Sequence, residues 1–99
     1  MVKHIVLFKL KEDVPQNEKI SLMTKFKEAI ESLPAKISGI RKIEVGFNTN
    51  PGESWHIAIY SEFNSLEDVQ AYAIHPEHVA AGKIIAGIRE IRACVDYQC

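Results

Sequence analysis

The sequence predicts an α+β fold with the element order β-α-β-β-α-β. Three observations carry that expectation. Short apolar runs, too short for typical helices, open the chain, occupy its middle and close it. The longer stretches between them place apolar residues at spacings of three and four, the period of a helix packed on one side. A polar turn joins the two middle runs, so they pair as an antiparallel hairpin. With right-handed crossovers this order gives the ferredoxin-like arrangement, a four-stranded antiparallel sheet with its helices on one face. The 99 residues form a single domain, 1–99.

Val2–Lys11 reads as the first strand. Val2, His4, Val6, Phe8 and Leu10 share one face, and Ile5 and Leu7 lie on the other. Both faces have apolar centres, so both are expected to be covered. Asp13-Val14-Pro15 turns the chain. A helix follows over Gln16–Leu33, with Leu22, Met23, Phe26, Ile30 and Leu33 as its apolar stripe, and Pro34 ends it. Ile40–Asn48 is the second strand, with Ile43, Val45 and Phe47 on one face. The polar run Asn48–Glu53 turns into a third strand, Trp55–Phe63, where Trp55, Ile57, Ile59 and Phe63 alternate with His56, Ala58, Tyr60 and Glu62.

Asn64 or Ser65 caps the next helix, which has an acidic first turn and carries Leu66, Val69, Tyr72 and Ala73. It breaks at His75-Pro76. Proline disfavours the α conformation in the residue before it and suits the first position of a new helix. The second piece carries Val79, Ile84, Ile85, Ile88 and Ile91, and Ala93–Gln98 is the final strand. On this layout Ile5, Leu7, Trp55, Ile57 and Ile59 make a broad apolar surface on the bare side of the sheet. Patches of that breadth mark interfaces. Pairing two sheets face to face covers both, which predicts a homodimer.

Composition narrows the function. Hydrophobic residues make up 46% of the chain, as in a folded globular protein, and 12 basic against 13 acidic residues leave a net charge of −1. No basic tract or basic–aromatic stripe offers a nucleic-acid surface. No apolar run reaches membrane-spanning length. Lys9, Lys11, Glu12 and Asp13 follow the first apolar run at once, unlike a signal peptide, so a cytoplasmic location is expected. Cys94 and Cys99 are an odd number of residues apart. On one strand they face opposite ways and cannot bridge.

The chemistry concentrates in Tyr72–Val79, which holds two of the four histidines, a tyrosine and a proline. His78 falls in the first turn of the helix that Pro76 starts, where the helix dipole disfavours a positive imidazolium. A neutral imidazole accepts protons, and Tyr72 supplies a phenolic O–H one break upstream. The same positions also suit packing at a helix junction. His75 reads as the junction residue itself. A His75/His78 metal pair is disfavoured, because the proline break spoils the helical spacing and no carboxylate is placed to complete a site.

His4-Ile5-Val6-Leu7-Phe8-Lys9, the His56 strand, Tyr72-x-x-His75-Pro76-x-His78-Val79 and the ending Val95-Asp96-Tyr97 together resemble the stress-responsive A/B-barrel (Dabb) domain family of the dimeric α+β-barrel group. The resemblance spans essentially the whole chain. It implies a homodimer whose two sheets form a barrel. One plant member closes a linear polyketide by aldol condensation without metal or organic cofactor, and its catalytic tyrosine and histidine match Tyr72 and His78. By the same resemblance His4 and His56 belong to the ligand pocket, on the sheet face turned to the helices. Met23, Phe26 and Ala58 stand where that member has other pocket-wall residues. The resemblance thus implies no cofactor, no metal, and an apolar, carbonyl-bearing ligand. The alternatives are a non-catalytic, stress-related structural or ligand-binding dimer, and a dimeric-barrel monooxygenase or haem-degrading enzyme with His78 as axial ligand.

Overall fold

A computed structural model describes all residues, 1–99. Its elements run β1 (Val2–Leu10), α1 (Gln16–Glu31), a 3₁₀ turn (Leu33–Ala35), β2 (Ile40–Phe47), β3 (Ile57–Phe63), α2 (Leu66–Ile74), α3 (Pro76–Ala86) and β4 (Arg89–Gln98). The four strands form one antiparallel sheet in the order β2-β3-β1-β4. The helices cover one face. No helix is long and apolar enough to cross a membrane.

The alternation of β1 settles which face is which. Val2, His4, Val6, Phe8 and Leu10 are buried, with the residues between them half-buried. The four apolar ones meet Phe26 and Ile30 of α1, Leu33 of the 3₁₀ turn, and Val69, Tyr72, Ala81 and Ile85 of α2 and α3 in one core of 17 buried apolar residues. Phe26 packs edge-on against Phe8, ring centroids 5.8 Å apart, and truncating a ring buried in this way costs about 3–5 kcal/mol.

The third strand turns the opposite way from the sequence expectation. It starts at Ile57, two residues later than predicted, and pairs Phe8 with Ile57, Val6 with Ile59, His4 with Ser61 and Val2 with Phe63. Residues directly opposite in an antiparallel pair point to the same side. Ile57 and Ile59 therefore join the core, Ala58 faces the open side, and His56 lies outside the strand. The open face instead carries Leu7 opposite Ala58, and Ile5 opposite Tyr60 on one side and Val95 on the other.

The last strand is longer than predicted. The helix stops at Ala86, with Gly87 as its cap, so Ile88 lies in the connection and Ile91 on β4 opposite Lys9. Arg89–Arg92 had no strand signal of its own. These residues pair because β1 offers a free edge that runs on to Leu10, past a register shift at Lys9/Leu10. Cys94 and Cys99 are free thiols.

Two local devices matter later. Gly39 leads into β2 with φ +93°, and a Cβ placed there would stand 2.7 Å from Cγ of Asp68. At the edge strand β2, Lys27 Nζ donates to the Val45 carbonyl at 2.6 Å, and the Val45 N–H donates to Oε2 of Glu31 at 3.0 Å. Lys27 and Glu31 are themselves paired at 2.8 Å. Two side chains from α1 thus occupy both main-chain groups at the middle of an exposed edge.

Candidate functional site

The site forms where α2 gives way to α3. Ser65 caps α2 by accepting the Asp68 N–H at 3.2 Å. His75 ends α2 and starts α3, with its Nδ1 accepting the Glu77 N–H at 3.1 Å. This shared cap fixes the angle between the helices and brings Tyr72, on the last turn of α2, beside His78, the third residue of α3. Their ring centroids are 4.2 Å apart.

Both side chains line a small cavity of about 100 Å³ between helices and sheet, together with His4, Phe26 and Arg92. Tyr72 is buried. Burial pushes its hydroxyl well above the usual phenol range, and the nearby Arg92 works weakly the other way. The hydroxyl therefore keeps its proton and acts as a donor. His78 is half-buried, and that desolvation lowers its pKa. The bond to the Ala73 carbonyl opposes the shift, while His4, Arg92 and His75 add to it. A ring lowered from its ordinary value of about 6.5 is mostly neutral at pH 7.

Geometry also fixes the tautomer of His78. Its Nδ1 lies 3.0 Å from the Ala73 carbonyl oxygen, which can only accept, so Nδ1 carries the proton and Nε2 the lone pair. His4 is held from the opposite wall. It is buried on β1, and its Nδ1 bonds the carboxylate of Asp96, its direct cross-strand partner on β4. Its ring meets Tyr72 edge-on at 6.1 Å and Phe63 at 5.9 Å.

Of the residues singled out in the sequence, the structure brings together His4, Phe26, Tyr72 and His78. It sets the other three elsewhere. His56 and Met23 line a larger hollow of about 700 Å³ around the start of α1, most of whose lining residues are polar. Ala58 lies on the open sheet face, in a shallow hollow beside Leu7 and Trp55. His56 precedes β3, and its Nδ1 accepts the Leu10 N–H at 2.9 Å. It satisfies a β1 amide on the side of β3, which starts at Ile57, too late to reach it. Its pKa is lowered by burial, then by Lys19 and Lys9.

Sequence inspection gave no role to Asp96 or Arg92. The available signal was a carboxylate inside the apolar run Val95-Asp96-Tyr97. Its meaning depends on the β1–β4 register, which places it opposite His4.

The fold is shared with known proteins. Residues 2–99 match the family described as Stress responsive A/B Barrel Domain. The chain is 33% identical over 101 residues to the stress-response A/B barrel domain-containing protein DABB1 of Arabidopsis thaliana, covering 98% of this chain but only 46% of that protein. It is 25% identical over 99 residues to olivetolic acid cyclase of Cannabis sativa, covering 97% of this chain and 94% of the cyclase. A dimeric protein of unknown function and ferredoxin-like fold from Bacteroides fragilis superposes with a TM-score of 0.97 at 70% identity, covering 99% of this chain and 95% of that one. The match over nearly its full length, on a sheet and helices in the expected order, places this chain in the stress-responsive A/B barrel (Dabb) domain family.

Proposed function

We propose that the protein is a homodimer whose cavity carries out cofactor-free proton transfer on a small carbonyl-bearing ligand. The single observation behind this is the His78 tautomer. The Ala73 carbonyl fixes the proton on Nδ1, which leaves Nε2 as a base in the same cavity as a buried, protonated Tyr72. His78 Nε2 takes a proton from the carbon beside a carbonyl, and the C–H electron pair moves into the carbonyl as an enolate. The Tyr72 O–H donates to the enolate oxygen. Attack of the enolate carbon on a second carbonyl of the same molecule forms the C–C bond of an aldol cyclisation, and the proton on His78 returns to the new alkoxide. The 25% identical relative named olivetolic acid cyclase supports this class of chemistry.

Cavity size constrains the ligand. At about 100 Å³ the cavity is well below the size that encloses a drug-sized ligand, about 300–1,000 Å³. That suits the reacting end of a carbonyl compound, with any apolar tail running out past the mouth. It does not suit a porphyrin plane, which weighs against the haem-degrading alternative. The dimer is supported by the apolar open face and by the 70% identical B. fragilis protein, described as dimeric. The competing function is a non-catalytic, stress-related dimer, favoured by the relationship to DABB1.

Proton exchange separates the two. In deuterated buffer the protein is expected to accelerate exchange of the methyl protons of acetone, followed by NMR. His78→Ala is expected to lower the rate by about 100-fold or to background. Tyr72→Phe is expected to reduce it in part, with folding retained. No acceleration by the parent protein, or equal rates in parent and variants, would favour the non-catalytic dimer.

A further inference from the structure

At the edge of the cavity, three different donor atoms converge. His4 is buried on β1. Asp96 stands directly opposite it on β4, and Cys94, two residues earlier, shares the face of Asp96. Cys94 Sγ lies 3.6 Å from His4 Nδ1 and 4.0 Å from Asp96 Oδ2, and His4 Nδ1 contacts Asp96 Oδ1. The donor atoms all fall within 4.8 Å of one another.

A tetrahedral zinc with its usual bonds of about 2.3 Å to sulfur and about 2.0–2.1 Å to nitrogen sets its S and N ligands about 3.6 Å apart. The sulfur–nitrogen edge already has that length. The sulfur–oxygen edge is slightly long, and only the histidine–carboxylate pair must part, by rotation of a half-exposed Asp96 side chain. We propose that His4 Nδ1, Cys94 Sγ and an Asp96 carboxylate oxygen form a site for a zinc-class divalent cation, with a fourth position left for water. This does not rest on the proton-transfer proposal, since Cys94 and Asp96 do not line that cavity.

The scaffold and the charge balance both favour the site. The ladder between β1 and β4 holds the three donors on rigid backbone, so little ordering remains for the metal to impose. Thiolate and carboxylate together neutralise a dication. Binding releases the thiol proton to solvent. It also changes His4. Without metal, His4 Nδ1 is engaged by the Asp96 carboxylate. With Nδ1 on a metal, the ring proton must sit on Nε2. The nitrogen of this cavity-lining ring that does not touch the metal is then a donor.

The cobalt(II) ion alone serves as the probe. Titrated into the chelator-treated full-length protein, it is expected to give a thiolate-to-cobalt charge-transfer band in the near ultraviolet that saturates at one ion per chain. Zinc is expected to bleach the band by displacement. Cys94→Ser is expected to abolish the band, and Asp96→Asn to keep it while weakening binding by about 10-fold or more. Cys94 is exposed, so its replacement leaves packing intact. Cys99→Ser is the control and is expected to change neither band nor affinity. Absence of the band in the parent, its survival in Cys94→Ser, or its loss in Cys99→Ser would overturn the proposal.

Discussion

Two histidines in this chain are held neutral for different purposes. His78 is neutral because it is desolvated, and its free nitrogen remains available in the cavity. His56 is also shifted downwards by burial, yet its Nδ1 lone pair is consumed by the Leu10 amide. In both, the folded pKa lies below the unfolded value of about 6.5, so the unfolded chain takes up protons first as pH falls. Their contribution is therefore complete above about pH 6.5 and is lost as pH drops below it. Urea midpoints are expected to fall between pH 7.5 and pH 5.5 at constant slope. His56→Leu is expected to cost roughly 1–3 kcal/mol at pH 7.5, because the Leu10 N–H loses its acceptor, and to flatten the pH dependence. An unchanged pH profile in that variant would show that His56 does not titrate on unfolding. The sequence itself revealed Tyr72 and His78, because a proline break fixes where a helix stops and restarts. It misplaced His56 and Ala58, because alternation shows that neighbours oppose one another but not which face is buried. Pairing with β1 decides that, and so does the partnership of Asp96 with His4.

At the scale of elements, two glycines give opposite tests. Gly39 has a left-handed φ, and the space beside it is filled by the Cβ and carboxylate of Asp68. Gly39→Ala is expected to destabilise by about 2 kcal/mol. Gly82 lies inside α3 with nothing within 4 Å of where its Cβ would go. Gly82→Ala is expected to stabilise by about 0.8–1 kcal/mol, the usual helix-interior gain. Because Gly82 also lines the cavity, the same methyl narrows the site, and slower acetone exchange should accompany the higher stability. Thermal and urea unfolding of the two variants measure both signs. Helices and the hairpin were legible because their periods differ and their breakers are prolines, glycines and asparagines. The start of β4 was not legible. Arg89–Arg92 has no alternating pattern and follows an isoleucine-rich helix, so only the waiting edge of β1 makes it a strand.

For the whole molecule, the open sheet face decides the assembly. Ile91, Val95 and Tyr97 on β4 are 47%, 54% and 45% exposed, too much apolar surface for one copy to leave wet. A few hundred Å² of apolar area per copy, at about 25 cal/mol per Å², is worth on the order of 10–20 kcal/mol, against roughly 4–15 kcal/mol for immobilising two bodies. Sedimentation at micromolar concentration is expected to show the proposed dimer. Val95→Asp should shift it towards monomer without changing the core, since Val95 points away from the helices. A parent that sediments as a monomer, or a Val95→Asp variant that stays dimeric, would place the interface elsewhere. The sequence announced this face through the two-sided β1, although Ile57 and Ile59, which it also assigned there, face the core.

The clamp of Lys27 and Glu31 on Val45 has a consequence for association at high concentration. A sheet with two reactive borders behaves as a bifunctional monomer: each addition exposes a fresh border and growth continues into fibres. Blocking the middle of the β2 border makes the unit monofunctional, so border-to-border association through β4 terminates at a pair. Removing the clamp, as in the double replacement Lys27→Ala and Glu31→Ala, restores the second valence and turns a terminating encounter into a propagating one.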